Sequence, residues 1–187
     1  MVTHSLVQIS AFDVSLDEVN VIIDTPKGSR NKFKYDAARG LFKLGGVLPA
    51  GALFPYDFGF LPSTLGGDGD PLDVLVLLDE PTFVGCLVPA RLIGVIEADQ
   101  TEAGHTERND RLIAVAIDSR VHRGVHALEQ VSAALVEEIE HFFISYNAVR
   151  EKQFTPRGRG GPMQARRIIE EGMVCFQRAA TSDKEKH

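Results

Sequence analysis

Apolar positions along this chain recur with two different periods, short alternating runs first and helical spacing later. Val19-Asn20-Val21-Ile22-Ile23 reads as a first strand, closed by Asp24-Thr25-Pro26. In Phe33-Lys34-Tyr35-Asp36 the alternation puts the two rings on one face and the charges on the other. Leu41-Phe42-Lys43-Leu44 is its expected hairpin partner, and Gly45-Gly46 breaks the pattern. Residues 47–60 are apolar but dense in proline and glycine, which excludes a helix and predicts a buried loop or irregular strand. Residues 74–78, 87–95 and 112–117 are further strands, and the acid-rich stretch between the last two, residues 97–111, reads as a polar loop.

The period then changes. Leu128, Val131, Leu135, Ile139, Phe142, Phe143 and Tyr146 recur at three- and four-residue spacing, with Glu129, Glu137, Glu138 and Glu140 on the opposite face, an amphipathic helix. A basic glycine-rich loop is expected over residues 155–162. A second helix is expected over about 164–178, burying Ile168, Ile169 and either Met173 or Phe176. The tail, residues 182–187, is expected to fray. Strands first and helices later indicate an α+β fold: a small antiparallel barrel with helices packed outside it. One domain over residues 1–187 is the simplest division, and no repeat is evident.

Composition narrows the function. Hydrophobic residues make up 44% and charged ones 25%, and 20 Lys plus Arg stand against 26 Asp plus Glu, a net charge of −6. That balance speaks against a nucleic-acid surface and tolerates a site that recruits cations. Cys86 and Cys175 lack paired-cysteine spacing, so neither a disulfide framework nor a zinc knuckle is indicated. The first residues carry acids and no basic segment before an apolar run, unlike a secretory leader, and no run reaches membrane-spanning length. A reducing cytoplasm is the expected location.

The candidate chemistry lies in Asp68-Gly69-Asp70-Pro71-Leu72-Asp73, which runs directly into the apolar strand at 74–78. Carboxylates this crowded raise one another's pKa unless a cation neutralises them. Gly69 and Pro71 shape the turn, and the strand anchors it, so oxygen ligands sit on a short rigid element as hard-cation sites require. A solvated acidic turn is the plainer reading. An EF-hand loop counted from Asp68 fails, because the glycine position is Asp73 and the twelfth is Asp79. There is no P-loop motif. His122 and His126 have i, i+4 spacing without the accompanying Glu of a zincin, so an ordinary pair outweighs a zinc site. Arg157-Gly158-Arg159-Gly160-Gly161 reads equally as a phosphate lid or a solvated loop.

The acidic turn with its Val74 resembles the D-x-D-P-x-D-V signature of family I soluble inorganic pyrophosphatases. Ordered context agrees: Ile23-Asp24-Thr25-Pro26, Lys34-Tyr35-Asp36, the Phe54-Pro55-Tyr56-Asp57-Phe58-Gly59-Phe60 run, Asn109-Asp110-Arg111-Leu112, and His141-Phe142-Phe143 followed by Tyr146. The resemblance implies a five-stranded OB-type barrel with flanking helices. It also implies hydrolysis of inorganic pyrophosphate to two phosphates with Mg²⁺ (Mn²⁺ being the alternative ion), and a homo-oligomer, often a hexamer in bacterial members. It implies Asp68, Asp70 and Asp73 as metal ligands, Asp70 also helping to activate the attacking water. Asp24 and Asp36 take the places of further site acids. Asp110, with either Asp99 or Glu102, takes those of additional ligands. Lys34, Arg111 and Tyr146 fall at substrate-contacting positions. A family arginine falls at Gly45, two site tyrosines at Phe54 and Phe58, and a lysine at Asn147, so the phosphate side departs from the pattern. Lys43, Lys152, Arg157 and Arg159 are candidate replacements.

Two other functions stay open at this level. A lost arginine and two Tyr-to-Phe positions widen the pocket for an organic diphosphate or nucleotide. A non-catalytic OB-like module binding oligonucleotides is disfavoured, since its stacking rings need a basic groove and these lie beside acids.

Overall fold

A computed structural model of the chain describes residues 5–13 and 18–184. Its nine strands and two α-helices are β1 (Glu18–Thr25), β2 (Asn31–Asp36), β3 (Leu41–Val47), β4 (Asp57–Phe60), β5 (Asp73–Leu77), β6 (Leu87–Glu102), β7 (His105–Arg108), β8 (Arg111–Ala116), α1 (Ala133–Ala148), β9 (Lys152–Gly160) and α2 (Pro162–Lys184). Strand β1 pairs with β4, β4 with β5, β5 with β8, β8 with β6, and β6 with β1 again, so five strands close into a ring. Four of the five pairings are antiparallel; β5 and β8 run parallel, which departs from the all-antiparallel expectation. Counted within the ring, the strand order is that of an OB-type Greek-key barrel.

Strand β6 is the longest, with 16 residues, and serves both the ring and an outer layer. Beyond the barrel it pairs with β7 and, over eight residue pairs, with β9. The stretch expected as a loop at 97–111 is therefore the end of β6, a turn at Ala103 and Gly104 (both with positive φ), and β7. The glycine-rich stretch at 155–162 is likewise mostly strand, so the lid reading does not hold. Neither segment alternates apolar with polar residues. Their backbones pair with each other, and ion pairs such as Asp99–Arg157 (2.7 Å) and Glu102–Lys152 (2.7 Å) replace apolar burial. Residues 57–60, expected as irregular, form β4; Gly59 permits this, because a Cβ there would lie 2.1 Å from the Ile22 carbonyl oxygen.

Two apolar clusters flank the barrel wall. One joins Val21, Ile23, Val74, Val76, Val95 and Leu112 to Ala165 and Ile169 of α2. The other joins Leu75, Leu77, Ile96, Ile113 and Phe154 to Val136, Ile139 and Phe143 of α1. Successive residues of β5 thus point alternately to the two clusters, as strand geometry requires. Helix α1 begins later than the apolar spacing suggests; Leu128 is buried in a separate 3₁₀ turn, Leu128–Gln130. Helix α2 starts directly after Gly161 with Pro162 in its first turn, where a missing N–H costs nothing, and continues to Lys184. The expected fraying of the tail falls partly on that helix and partly on residues 185–187, which lie outside the described residues. Among the described residues no helix is long and apolar enough to cross a membrane.

Candidate active site

The acidic turn is built by backbone bonds before any ligand is considered. The Gly66 N–H donates to the Asp70 carbonyl (2.8 Å) and the Gly69 N–H to the Gly66 carbonyl (3.2 Å), with Gly69 at φ 79°. The Asp70 N–H donates to Asp68 Oδ1 (3.1 Å), which aims the first carboxylate back across the turn. Below it, the Leu72 N–H donates to Thr64 Oγ1 (3.1 Å), and the Leu65 N–H donates to the Gly172 carbonyl of α2 (3.0 Å). A Cβ at Gly172 would come within 2.8 Å of the Leu72 side chain, so the bare helix backbone at this point lets the turn seat closely.

This turn forms one wall of a cleft of about 340 Å³. Four acids line it, Asp24, Asp68, Asp70 and Asp73, together with five bases, Lys32, Lys34, Arg111, Arg150 and Lys152. Phe58, Phe60 and Phe143 supply the apolar lining, and Tyr146 reaches in from α1. Most acids already have a basic partner: Asp73 pairs with Arg111 (2.8 Å) and Asp70 with Lys34 (3.3 Å). Asp68 accepts from the Asn109 amide (3.3 Å). Burial raises the Asp68 carboxyl above its ordinary range, and the like charges of Asp73 and Asp70 add to it.

The most enclosed pair is Asp24 with Lys32, whose ammonium lies 2.7 Å from both carboxylate oxygens. It also sits 4.2 Å from the centroid of the Phe58 ring, so a phenylalanine at this position provides a cation-binding face. Burial pushes the Asp24 carboxyl up and the Lys32 ammonium down, each opposed by the partner's charge. Arg111 lies against the adjoining rings of Phe143 and Phe154, 5.1 and 5.3 Å from their centroids. Its Nη1 donates to Asn109 Oδ1 and to the Asp110 carbonyl, and its buried Nε has no partner. Burial raises the Tyr146 phenol above its usual range; its oxygen accepts from Arg150 (2.6 Å), which leaves the hydroxyl hydrogen for an anion in the cleft.

Of the residues singled out from sequence, the cleft brings together Asp24, Lys34, Asp68, Asp70, Asp73, Arg111 and Tyr146. Asp36, Asp99, Glu102 and Asp110 do not line it. Asp36 is held by Arg39 and Lys43 on the β2–β3 hairpin. Asp99 and Glu102 pair with Arg157 and Lys152 of β9, and Asp110 pairs with Arg108 and accepts from the Ala98 N–H. Strand alternation explains the substitution: Gln100, between outward-pointing neighbours, faces the cleft, and so does Asn109 next to Asp110. Of the candidate replacement cations only Lys152 lines the cleft; Lys43, Arg157 and Arg159 are engaged by Asp36, Asp99 and Glu140. Lys32 and Arg150 went unnoticed in the sequence, although Lys32 is two residues from Lys34 and therefore on the same strand face.

The donor set suits a hard divalent cation, since carboxylate and amide oxygens are the available ligands and no thiol or imidazole lines the cleft. The carboxylates do not yet converge: among the described residues no three acidic, His or Cys side chains are gathered around one point. Lys34 and Arg111 hold Asp70 and Asp73.

A family model described as inorganic pyrophosphatase matches residues 21–177. An inorganic pyrophosphatase of Halalkalibacterium halodurans is 35% identical over 160 residues, 86% of this chain and 94% of that protein. One from Thermus thermophilus is 33% identical over 166 residues, 89% of this chain and 93% of its own length. The crystal structure of inorganic pyrophosphatase from Thermus thermophilus matches at a TM-score of 0.85 and 29% identity, covering 93% of this chain and 99% of that one. The structure of an inorganic pyrophosphatase from Coxiella burnetii matches at 0.81 and 32% identity, covering 90% and 99%.

Proposed function

From the premise that the chain belongs to the inorganic pyrophosphatase family, we propose how its cleft divides the labour of the reaction. The protein is a metal-dependent hydrolase that splits pyrophosphate into two phosphates. Pyrophosphate is small and highly anionic, so the barrier is chiefly electrostatic. Asp68, Asp70 and Asp73 would hold the divalent ion, with Asp24 behind them as a fourth acid. When bound, such an ion would supply charge neutralisation for phosphate oxygens and a lowered pKa for a water. Oxygen-only ligands on a short turn favour Mg²⁺ as that ion.

The Asp70 side chain is more exposed than that of Asp73, 64% against 29%, and is the group that orients the attacking water and accepts its proton. Arg111, packed against two rings, presents the planar fork that suits two phosphate oxygens. Lys34 leaves Asp70 for the substrate, and Tyr146 donates its hydroxyl hydrogen. Lys32 stays with Asp24, so the cleft floor carries a neutral, buried pair. The family resemblance supports a homohexamer in the cytoplasm, which sedimentation and cell fractionation test.

The observation that carries this reading is the turn itself, three carboxylates on one rigid loop facing Arg111, Lys34 and Tyr146 across a single cleft. Phosphate release from pyrophosphate is expected with Mg²⁺, to stop with EDTA, and to fall by about 10²-fold or more in Asp70→Asn. Release that persists in EDTA, or an Asp70→Asn variant as active as the parent, overturns it.

A further inference from the structure

A second chamber of about 220 Å³ adjoins the cleft, and Lys32, Tyr146 and Arg150 line both spaces. The second chamber has a different character. Its remaining wall is Gly45, Gly46, Val47, Leu48, Pro49 and Val149, with no acid among them. Val47 and Val149 are 57% and 60% exposed, so two large apolar side chains face open space beside a site for a polyanion. Pyrophosphate offers nothing for such a wall to bind.

Two details make the chamber a continuation of the substrate site rather than incidental surface. Gly46 pairs with Lys32 across β2 and β3, and side chains of directly paired residues lie on one face of the ladder. Lys32 points to Asp24 in the cleft, so a side chain at 46 would project to the same side; a Cβ there meets nothing within 4 Å. Residue 46 lines the chamber without a side chain to fill it. At the junction, Arg150 bonds the Tyr146 hydroxyl (2.6 Å) and lies over its ring (5.3 Å). The other four cleft bases pair with Asp24, Asp70, Asp73 and Glu102, whereas among the described residues no carboxylate is recorded against Arg150. An uncompensated guanidinium stands where a phosphate would pass from one space to the other.

We propose that the cleft also accepts a diphosphate monoester carrying a short apolar group, with the diphosphate in the acid-lined cleft, Arg150 on the ester-bearing phosphate, and the apolar group in the second chamber. The inference rests on the hydrolase reading of the same cleft. Water attacks the terminal phosphorus and a new P–O bond forms. The bond from that phosphorus to the bridging oxygen breaks. The products are the organic monophosphate and inorganic phosphate, and one water proton passes to Asp70 and then to solvent. No electron transfer is involved.

The test compares pyrophosphate, methyl diphosphate and 3-methylbutyl diphosphate as substrates of the full chain with Mg²⁺. Calorimetric binding of the two esters without metal provides a second readout. Four added carbons meeting an apolar wall are expected to raise kcat/KM at least ~10-fold over the methyl ester, with tighter binding in the same order. Gly46→Leu fills the chamber and Val149→Gln removes part of its wall. Both are expected to erase that preference while leaving pyrophosphate hydrolysis within about twofold, since neither residue lines the acid-bearing cleft. Two variants on different elements keep the result independent of a folding defect in one.

Pyrophosphate hydrolysis with no preference for the longer ester overturns the inference and leaves the pyrophosphatase reading standing. A preference that survives both substitutions also overturns it, and so does a chamber covered by a second copy of the chain, seen as Gly46→Leu changing the sedimentation of a protein inactive on esters. Release from the ester but not from pyrophosphate supports the inference and removes the simpler reading. Release from none of the three overturns both.

Discussion

Replacing Lys32 with Met asks how much the cleft floor costs to keep charged. The Lys32 and Asp24 side chains are 7% and 8% exposed, and the ammonium lies 2.7 Å from both carboxylate oxygens. Met preserves most of the aliphatic stem but takes the ammonium away from the Phe58 ring and leaves Asp24 as a buried, unpaired carboxylate. Breaking one side of such a pair costs about 3–5 kcal/mol. For a chain of this size that corresponds to a fall in Tm of roughly 6–20 °C. The partner variant Asp24→Leu strands Lys32 instead, and the double variant removes both charges together. It is expected to regain most of the loss, because an apolar pair of similar volume needs no desolvation. Urea unfolding of the four proteins closes the cycle, with a coupling of about 2 kcal/mol or more expected. A single variant that loses less than about 1 kcal/mol, or a double variant no better than the singles, would refute the account of this pair as a buried, mutually dependent one.

Four further outcomes follow from the same structure. Saturating Mg²⁺ is expected to raise Tm by about 5–10 °C at 100 times its dissociation constant, and Asp68→Asn to abolish that rise in a scanning calorimeter. Gly59→Ala puts a Cβ against the Ile22 carbonyl, so its unfolding free energy in urea should drop by the upper part of the roughly 1–3 kcal/mol overpacking range or more. Gly172→Val forces Leu72 and the acidic turn away from α2; pyrophosphate turnover should fall without any substrate contact being altered, whereas unchanged kinetics would remove the helix from the turn's support. Asp79 accepts from Ser119 Oγ (2.6 Å) and the Arg120 and Val121 N–H groups, which hold its carboxyl below the usual range. Its contribution to stability is therefore full above the unfolded carboxylate pKa of about 3.9 and lost as pH falls through the lower folded value. The stability gap between parent and Asp79→Asn should close below that pH and stay constant above it.

Four of the five ring strands were legible because they alternate or run apolar against a packed neighbour: in β5, Val74 and Val76 meet one cluster and Leu75 and Leu77 the other. The acidic turn was legible because its glycine, proline and three carboxylates are consecutive. What escaped was pairing whose energy lies in backbone bonds and charge. Residues 97–102 and 152–160 have few apolar side chains, and Asp99 and Arg157 find each other across 58 positions of chain. The partners of the outer acids escaped in the same way. Asp99, Glu102 and Asp110 read as ligands because they are acids in a stretch near the site, yet the partners that claim them are bases on β7 and β9. Gln100 and Asn109, which do face the cleft, carry no charge to attract notice. Arg150 lies just past the helix, where its direction depends on how α1 seats on β9, a tertiary fact.

The closing of the ring has a consequence for how the chain is made. Its five strands are all present once Ala116 has been synthesised, so the barrel can join its hydrogen bonds end to end while α1, β9 and α2 are still to come. At that stage Ile96, Ile113, Leu75 and Leu77 lack the cover of Ile139, Phe143 and Phe154. The acidic turn lacks Gly172 beneath it. A nascent chain paused there carries a finished scaffold with a wet apolar flank, the kind of surface that chaperones bind. Tyr146, Arg150 and Lys152 arrive on the same segment that covers that flank, so shielding the core and completing the cleft are one event.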